Sequence, residues 1–440
     1  MARLADYASL LEALEHQGFR IKANQCIAVR NRTVQCGRCA EACVSGCIQV
    51  ENRALSINPE QCIGCGSCAT ACPTGAIATV NPDDHQIIEE MAAVQAHNDG
   101  LVVIACASML ERAEGKIDGD AVVKVACLGR IDEAALVHAA AQGARKIVLV
   151  SDACETCAYA TGRRLIDRVV TGAQALLAAW NSPCRIKLGT TFPRQCARGQ
   201  KDTYDLQRRE FLLGMKDMAA TSARQTAELM INDKLGMGEE EPAYEHVTDD
   251  GTLPHRLPAR RVRLLQSLND LGKPAAATVP GRLWHRVVID EQRCSGCQMC
   301  AVFCPSGALA KHQEIDEAAT QACNKLFRAP GNPRSVAAEG AAKPAKPIYK
   351  RHKGPSASSS FAGGEQVDLL FTPRLCLGCD SCRQLCPQRA IRIEEGIDTA
   401  HITSNATTRT PLKDITREKG GPDAIRNSMS KLIDSPFLWG

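Results

Sequence analysis

The cysteines of this chain come in blocks with one repeating rhythm. Cys62-Ile-Gly-Cys65-Gly-Ser-Cys68-Ala-Thr-Ala-Cys72-Pro73 sets three cysteines at every third position and a fourth before proline. The block returns as Cys294, Cys297, Cys300 and Cys304-Pro305, and again as Cys376, Cys379, Cys382 and Cys386-Pro387. A slightly altered copy reads Cys36, Cys39, Cys43 and Cys47, with one extra residue before Cys43 and Ile48 where proline is expected. Such runs of thiolates wrap a loop around an iron–sulfur cube. Zinc, the usual rival for Cys-x-x-Cys, takes two pairs set far apart, which is a different grammar. A loop whose thiolates share one inorganic centre can close only around it, so these blocks constrain the fold before anything else does.

Composition narrows the class. Twenty-four cysteines would suit a disulfide scaffold in a small secreted protein. Here no signal peptide is recognised and the spacing implies thiolates, so a reducing cytoplasm is the expected location. A formal charge of +4 argues against nucleic acid as the main partner. No apolar run approaches the length of a membrane span. Aromatics are only 4% of the chain, so its cores must be built from Ala, Val, Ile and Leu.

The blocks resemble those of two-cluster bacterial-type ferredoxins. The flanking sequence agrees: Cys47 to Ile57 reads as a short hairpin and Ala76 to Val80 as a closing strand. The resemblance implies crossed ligation, in which the fourth cysteine of each block serves the cube of the other. One 4Fe–4S cube would then take Cys36, Cys39, Cys43 and Cys72, and its neighbour Cys62, Cys65, Cys68 and Cys47. In the second unit the sets are Cys294, Cys297, Cys300 and Cys386, then Cys376, Cys379, Cys382 and Cys304. Four 4Fe–4S clusters are implied. They would be saturated by thiolates, and so act as wires and not as reaction centres.

From about residue 85 the pattern changes. Leu101-Val-Val-Ile-Ala, Val122-Val-Lys-Val-Ala and Lys146-Ile-Val-Leu-Val are short apolar strands, with Arg185-Ile-Lys-Leu a candidate fourth. Helical runs, Ile131 to Gln142 and Arg163 to Trp180, alternate with them, which predicts a mainly parallel sheet. Cys106 and Cys127 end the first two strands, and Cys154 and Cys157 lie just past the third. Ligands of open parallel sheets bind outside the carboxyl ends of the strands, so these four can meet in one crevice. Two other readings stay open: small buried hydrophobes, or a Cys154–Cys157 dithiol. Cys26, Cys184, Cys196 and Cys323 fit no clear pattern and read as structural or incidental.

Val125-Ala-Cys127-Leu-Gly-Arg130-Ile-Asp132, Gly143-Ala-Arg-Lys-Ile-Val-Leu-Val, Cys154 and Cys157-Ala-Tyr159 resemble the delta iron–sulfur subunit of methyl-viologen-reducing hydrogenase. That family implies a 2Fe–2S cluster here. It also implies electron passage between a hydrogenase or formate dehydrogenase and heterodisulfide reductase. A small carrier at this site would bridge the two ferredoxin-like units, between which it lies in sequence.

The expected fold is multidomain, α+β and α/β, with two ferredoxin-like dicluster domains around a mainly parallel α/β sheet domain. The expected divisions are 1–84 with an N-terminal helix near Leu4 to Leu14, 85–200, a helical connector at 201–283, 284–395, and a sparse tail at 396–440. Within the second dicluster domain a flexible insertion is expected at about 313–364. The leading function is an electron-transfer subunit of an oxidoreductase complex. It would be non-catalytic itself and serve hydrogenase-, formate-dehydrogenase- or heterodisulfide-reductase-like subunits and a soluble ferredoxin. The alternatives are a dithiol/disulfide reductase working at Cys154 and Cys157, and an iron–sulfur redox sensor.

Overall fold

The structure is a computed structural model and describes residues 19–80, 82–152, 154, 157, 161–198, 252–311 and 368–411. The expected N-terminal helix, residues 201–251 of the expected helical connector and the expected insertion at 313–364 lie outside the described residues.

Four short strands frame the first two cysteine loops: β1 (Phe19–Ile21), β2 (Ile48–Glu51), β3 (Ala54–Ile57) and β4 (Ile77–Thr79). β1 pairs antiparallel with β4, and β2 with β3. Each cysteine loop therefore leaves one strand pair and lands in the other. The β2–β3 hairpin turns on Asn52 and Arg53, both left-handed, as a two-residue loop that matches strand twist requires.

The middle layer is a four-stranded parallel sheet of β5 (Leu101–Cys106), β6 (Val123–Val125), β7 (Lys146–Val150) and β8 (Arg185–Gly189), in the order β6-β5-β7-β8. The central strands β5 and β7 read as near-continuous apolar runs because both faces are covered, whereas the edge strands expose Lys124 of β6 and Arg185 and Lys187 of β8. Val102, Ile104, Ile147 and Leu149 pack under the helices Asp84–His97, Glu133–Ala141 and Thr161–Ala179. Val103, Ala105, Val148 and Val150 bury the opposite face with Met109, Ala121 and Cys196. Asp83 and Gln86 form a capping box that starts the first of these helices, and Asp132 caps the second through Ala135 N (2.8 Å). Among the described residues no helix is long and apolar enough to cross a membrane.

The second pair of cysteine loops repeats the first plan. After β9 (Thr278–Val279) come β10 (His285–Ile289), β11 (Leu309–Lys311), β12 (Asp368–Phe371) and β13 (Ile391–Glu395). β10 pairs antiparallel with β13, and β11 with β12. Beyond β13 the structure departs from the expected tail. β14 (Ile397–Asp398) pairs with β9, a helix covers Thr399–Thr403, and β15 (Thr408–Pro411) adds a third strand alongside β12. An ion pair explains the added strand: Arg409 of β15 meets Asp368, a carboxylate with no exposure at all. A buried carboxylate demands such a partner, and local periodicity could not supply it.

The helix Ala259–Asp270 lies on the helix Glu133–Ala141 and joins the second unit to the sheet layer. Arg261 from it stacks over the Trp284 ring, 4.2 Å from the centroid. Next to that stack Arg282 grips Glu133 with both arms of its guanidinium (2.9 Å each). Glu133 is 2% exposed and Arg282 31%, so the two sides of the pair differ. Arg282→Met strands a buried carboxylate and should cost about 3–5 kcal/mol in denaturant unfolding. Glu133→Gln should cost less, because the freed arginine reaches water. Burial pushes the Glu133 carboxyl up. The Arg282→Met loss should therefore shrink as pH falls, since protonation removes the stranded charge.

Candidate functional site

Three of the four cysteine loops share one backbone. A short helix begins two residues after the second cysteine, at Ser67, Met299 and Ser381. The residue ahead of it is left-handed in each loop: Gly66 (φ 72°), Gln298 (57°) and Asp380 (65°). This reversal gathers the thiols of each loop. Cys68 stands within electrostatic reach of Cys65 and Cys62, Cys300 of Cys297 and Cys294, and Cys382 of Cys379 and Cys376.

The fourth cysteines reach across. Cys304 acts on Cys376 and Cys379, and Cys386 on Cys294 and Cys300. In the first unit Cys72 acts on Cys36 and Cys39. Cys43 has Cys47 as its near thiol neighbour. Its Sγ lies 3.5 Å from that of Cys47, and Cys47 in turn feels Cys62. The buried Cys26, unassigned from the sequence, stands with Cys36, Cys39 and Cys72. Burial pushes the Cys39 thiol up to about 12, and the Cys72, Cys26 and Cys36 thiols add to the shift.

Thiolates buried against thiolates are costly unless a metal shares their charge. Two buried arginines supply a second sign of an anionic centre. Arg30 donates through Nη1 to Pro254 O (3.0 Å) but leaves Nε and Nη2 unpartnered, within reach of Cys304 and Cys379. Arg261 leaves Nη1 unpartnered beside Cys376, and burial draws its guanidinium down to about 10. Buried cations with spare donors around buried thiols fit an iron–sulfur cube held by Cys376, Cys379, Cys382 and Cys304. Among the described residues no three His, Cys, Asp or Glu side chains converge as for a single ion. Thiolates that bind four different irons of a cube stand further apart than that.

In the sheet layer Cys106, Cys127, Cys154 and Cys157 line one small cleft at the carboxyl edge, with Asp152 and Arg163. Cys127 accepts from Gly129 N (3.4 Å) and lies within reach of Cys106 and Cys154. Burial pushes the Cys154 thiol up despite Arg163, the opposite of what a nucleophilic dithiol uses. Cys184 and Cys196 are buried in the two faces of the sheet core.

The cleft abuts the Cys62 loop. Cys127 feels Cys65, and Thr70 Oγ1 donates to Arg130 O (2.8 Å) from the helix Ser67–Ala71. Gly129 is wedged between Ser67 and Gly162. The two cysteine-loop units meet directly as well. Arg38 Nη2 donates to Gly378 O (2.9 Å) and Gln35 N to Gln384 Oε1 (2.7 Å). Around these bonds Ile27, Val34 and Leu385 are buried together, with Cys36 and Cys379 packed against them. The sheet layer, central in sequence, is thus no necessary bridge between them.

Residues 55–78 and 287–310 match the 4Fe–4S binding domain family, and residues 91–203 match the family described as methyl-viologen-reducing hydrogenase, delta subunit. The chain thus carries two 4Fe–4S binding domains with a hydrogenase-delta-subunit-like domain between them. No curated protein and no solved structure gives a significant match.

Gly129 offers a direct test of the contact between cleft and loop. A methyl group there would meet the Ser67 hydroxyl and stand 3.1 Å from Gly162 Cα. Gly129→Ala should cost about 1–3 kcal/mol in denaturant unfolding, whereas Gly189→Ala, which meets nothing within 4 Å, should be close to neutral.

Proposed function

We propose that this chain is an iron–sulfur electron-transfer subunit serving a hydrogenase-, formate-dehydrogenase- or heterodisulfide-reductase-like complex. The observation that carries the reading is the direct contact between the Cys36 and Cys376 loops. With it, five cysteine groups follow one another: the Cys106/Cys127/Cys154/Cys157 cleft, then the Cys62, Cys36, Cys376 and Cys294 loops. The remaining neighbours are Cys127 with Cys65, Cys39 with Cys68, and Cys300 with Cys382.

Four 4Fe–4S clusters and a 2Fe–2S cluster would supply one-electron transfer along this row when bound, with no open coordination position. The chain's own residues keep the row short and dry. Arg38 and Gln35 clamp the junction, Ile27, Val34 and Leu385 exclude water from it, and Arg30 and Arg261 set positive charge beside the Cys376 group. At one end Cys297 is exposed, and at the other Cys106, Cys154 and Cys157 are half-buried. Both ends can therefore face a partner, such as a soluble ferredoxin or a catalytic subunit. The match to a hydrogenase delta subunit supports that choice of partners.

Anaerobic purification of the tagged full chain from its own cells should bring down large redox subunits of this class, identified by mass spectrometry. Recovery of a lone chain that reduces disulfides by itself would overturn the reading. Arg30 gives a finer prediction. Arg30→Met removes a buried cation next to Cys304 and Cys379. It should make one cluster harder to reduce by on the order of 60 mV, a tenfold change in a one-electron equilibrium. Redox titration followed by EPR reads the shift.

A further inference from the structure

We infer that Cys26, Cys36, Cys39 and Cys72 form one cluster-binding set, and that Cys43 completes Cys62, Cys65 and Cys68 while Cys47 binds nothing. The inference rests on the iron–sulfur reading above and deepens it by reassigning the ligands of the first unit.

Backbone landmarks decide the frame of the altered block. In the three regular loops the short helix starts two residues after the second cysteine; here it starts at Arg38, two residues after Cys36. Cys36 therefore corresponds to Cys65, Cys297 and Cys379, and Cys39 to the third cysteine of each loop.

The far end of the loop gives the same frame. Three residues after Cys72, Cys304 and Cys386 stands a left-handed residue: Gly75 (φ 70°), Gly307 (70°) and Arg389 (49°). Gly46 (66°) stands three residues after Cys43. The next residue is Ala76, Ala308 or Ala390, whose carbonyl accepts from the chain entering the facing loop: Lys22 N, Thr372 N and Asp290 N (2.8 Å each). Cys47 O accepts from Asn58 N (2.9 Å) in the same way. Cys47 is thus the counterpart of an inward alanine, and Cys43 the counterpart of the crossing cysteine. A hydroxyl two residues on repeats the match: Ser45 with Cys43 (3.5 Å), Thr74 with Cys72 (3.6 Å) and Ser306 with Cys304 (3.9 Å).

This frame leaves the first position of the block empty at Thr33, and Cys26 fills it. Cys26 follows a 3₁₀ turn at Ala23–Gln25, with φ −73° and ψ 122°. Cys62 follows the turn Pro59–Gln61 at −77° and 120°, and Cys376 the turn Pro373–Leu375 at −63° and 129°. Gln25-Cys26-Ile27 also repeats Gln61-Cys62-Ile63. Nine residues separate Cys26 from Cys36, where two separate Cys62 from Cys65. The helix Ile27–Arg30 occupies that excess, and its Ile27 contributes to the junction with the second unit. Cys26, only 8% exposed, lies in the core that also holds Cys39, Cys47 and Cys72.

The test uses the full chain, reconstituted anaerobically, with iron and sulfide analysis and EPR of the reduced protein. Cys47→Ala places the residue found at this position in the other three loops, so it should fold and keep the wild-type iron content and spectrum. Loss of about four iron atoms in Cys47→Ala, one cube's worth, would overturn the assignment. Cys26→Ala and Cys43→Ala should each lose one cube. Cys26→Ser, which offers an oxygen ligand of similar size, should bind a cube with an altered spectrum. An unchanged spectrum and full iron in Cys26→Ser would also overturn the assignment. A wild-type chain that takes up no iron at all would sink the iron–sulfur reading itself and is thereby told apart from a wrong ligand set.

Discussion

Thiols are buried here against other thiols, and the rest of the structure answers to that. A thiolate loses hydration on burial, and neighbouring thiolates repel it. The fold opposes both costs by bringing donors and cations to the loops. Backbone N–H groups point at sulfur, as from Leu309 to Cys304 (3.5 Å), Ala390 to Cys386 (3.3 Å) and Gly129 to Cys127 (3.4 Å). Arg30 and Arg261 keep unpartnered guanidinium nitrogens inside the protein, a cost that only an anionic neighbour offsets.

The same demand shapes the contacts between units. Short strands pair around each couple of loops but bury little apolar area, so the loops also lean on one another. Ile27, Val34 and Leu385 close the contact between the two cysteine-loop units, and Gly129 lets the sheet layer approach the helix Ser67–Ala71. Glu133 and Arg282 tie the sheet layer to the segment that enters β10. Packing of this kind keeps cysteine groups adjacent and excludes water between them, which is the arrangement an electron-transfer row needs.

Much of this could be read from the amino-acid order alone. Threefold cysteine spacing with a trailing Cys-Pro sets loop shape locally, and apolar runs interrupted by helical periodicity set a parallel sheet. β5 to β8 and the helices between them follow that pattern, and Cys106, Cys127, Cys154 and Cys157 share a cleft because strand order brings the carboxyl ends together. Even the frame of the altered block had a signal, the repeated Gln-Cys-Ile at 25–27 and 61–63. Fixed spacing hid it, because the Ile27–Arg30 helix interrupts the interval before Cys36.

What the tertiary structure alone decided are the meetings of segments far apart in the chain. No local rule places Arg38 on Gly378, since 340 residues separate them. Nor does any local rule turn the polar run Thr408–Pro411 into a strand; that took the buried carboxylate of Asp368 and an open edge on β12. Local spacing determined which residues are chemically able to hold a cluster. Which of them stand together was decided by packing and by charges that burial left in need of partners, and those act through space and not along the chain.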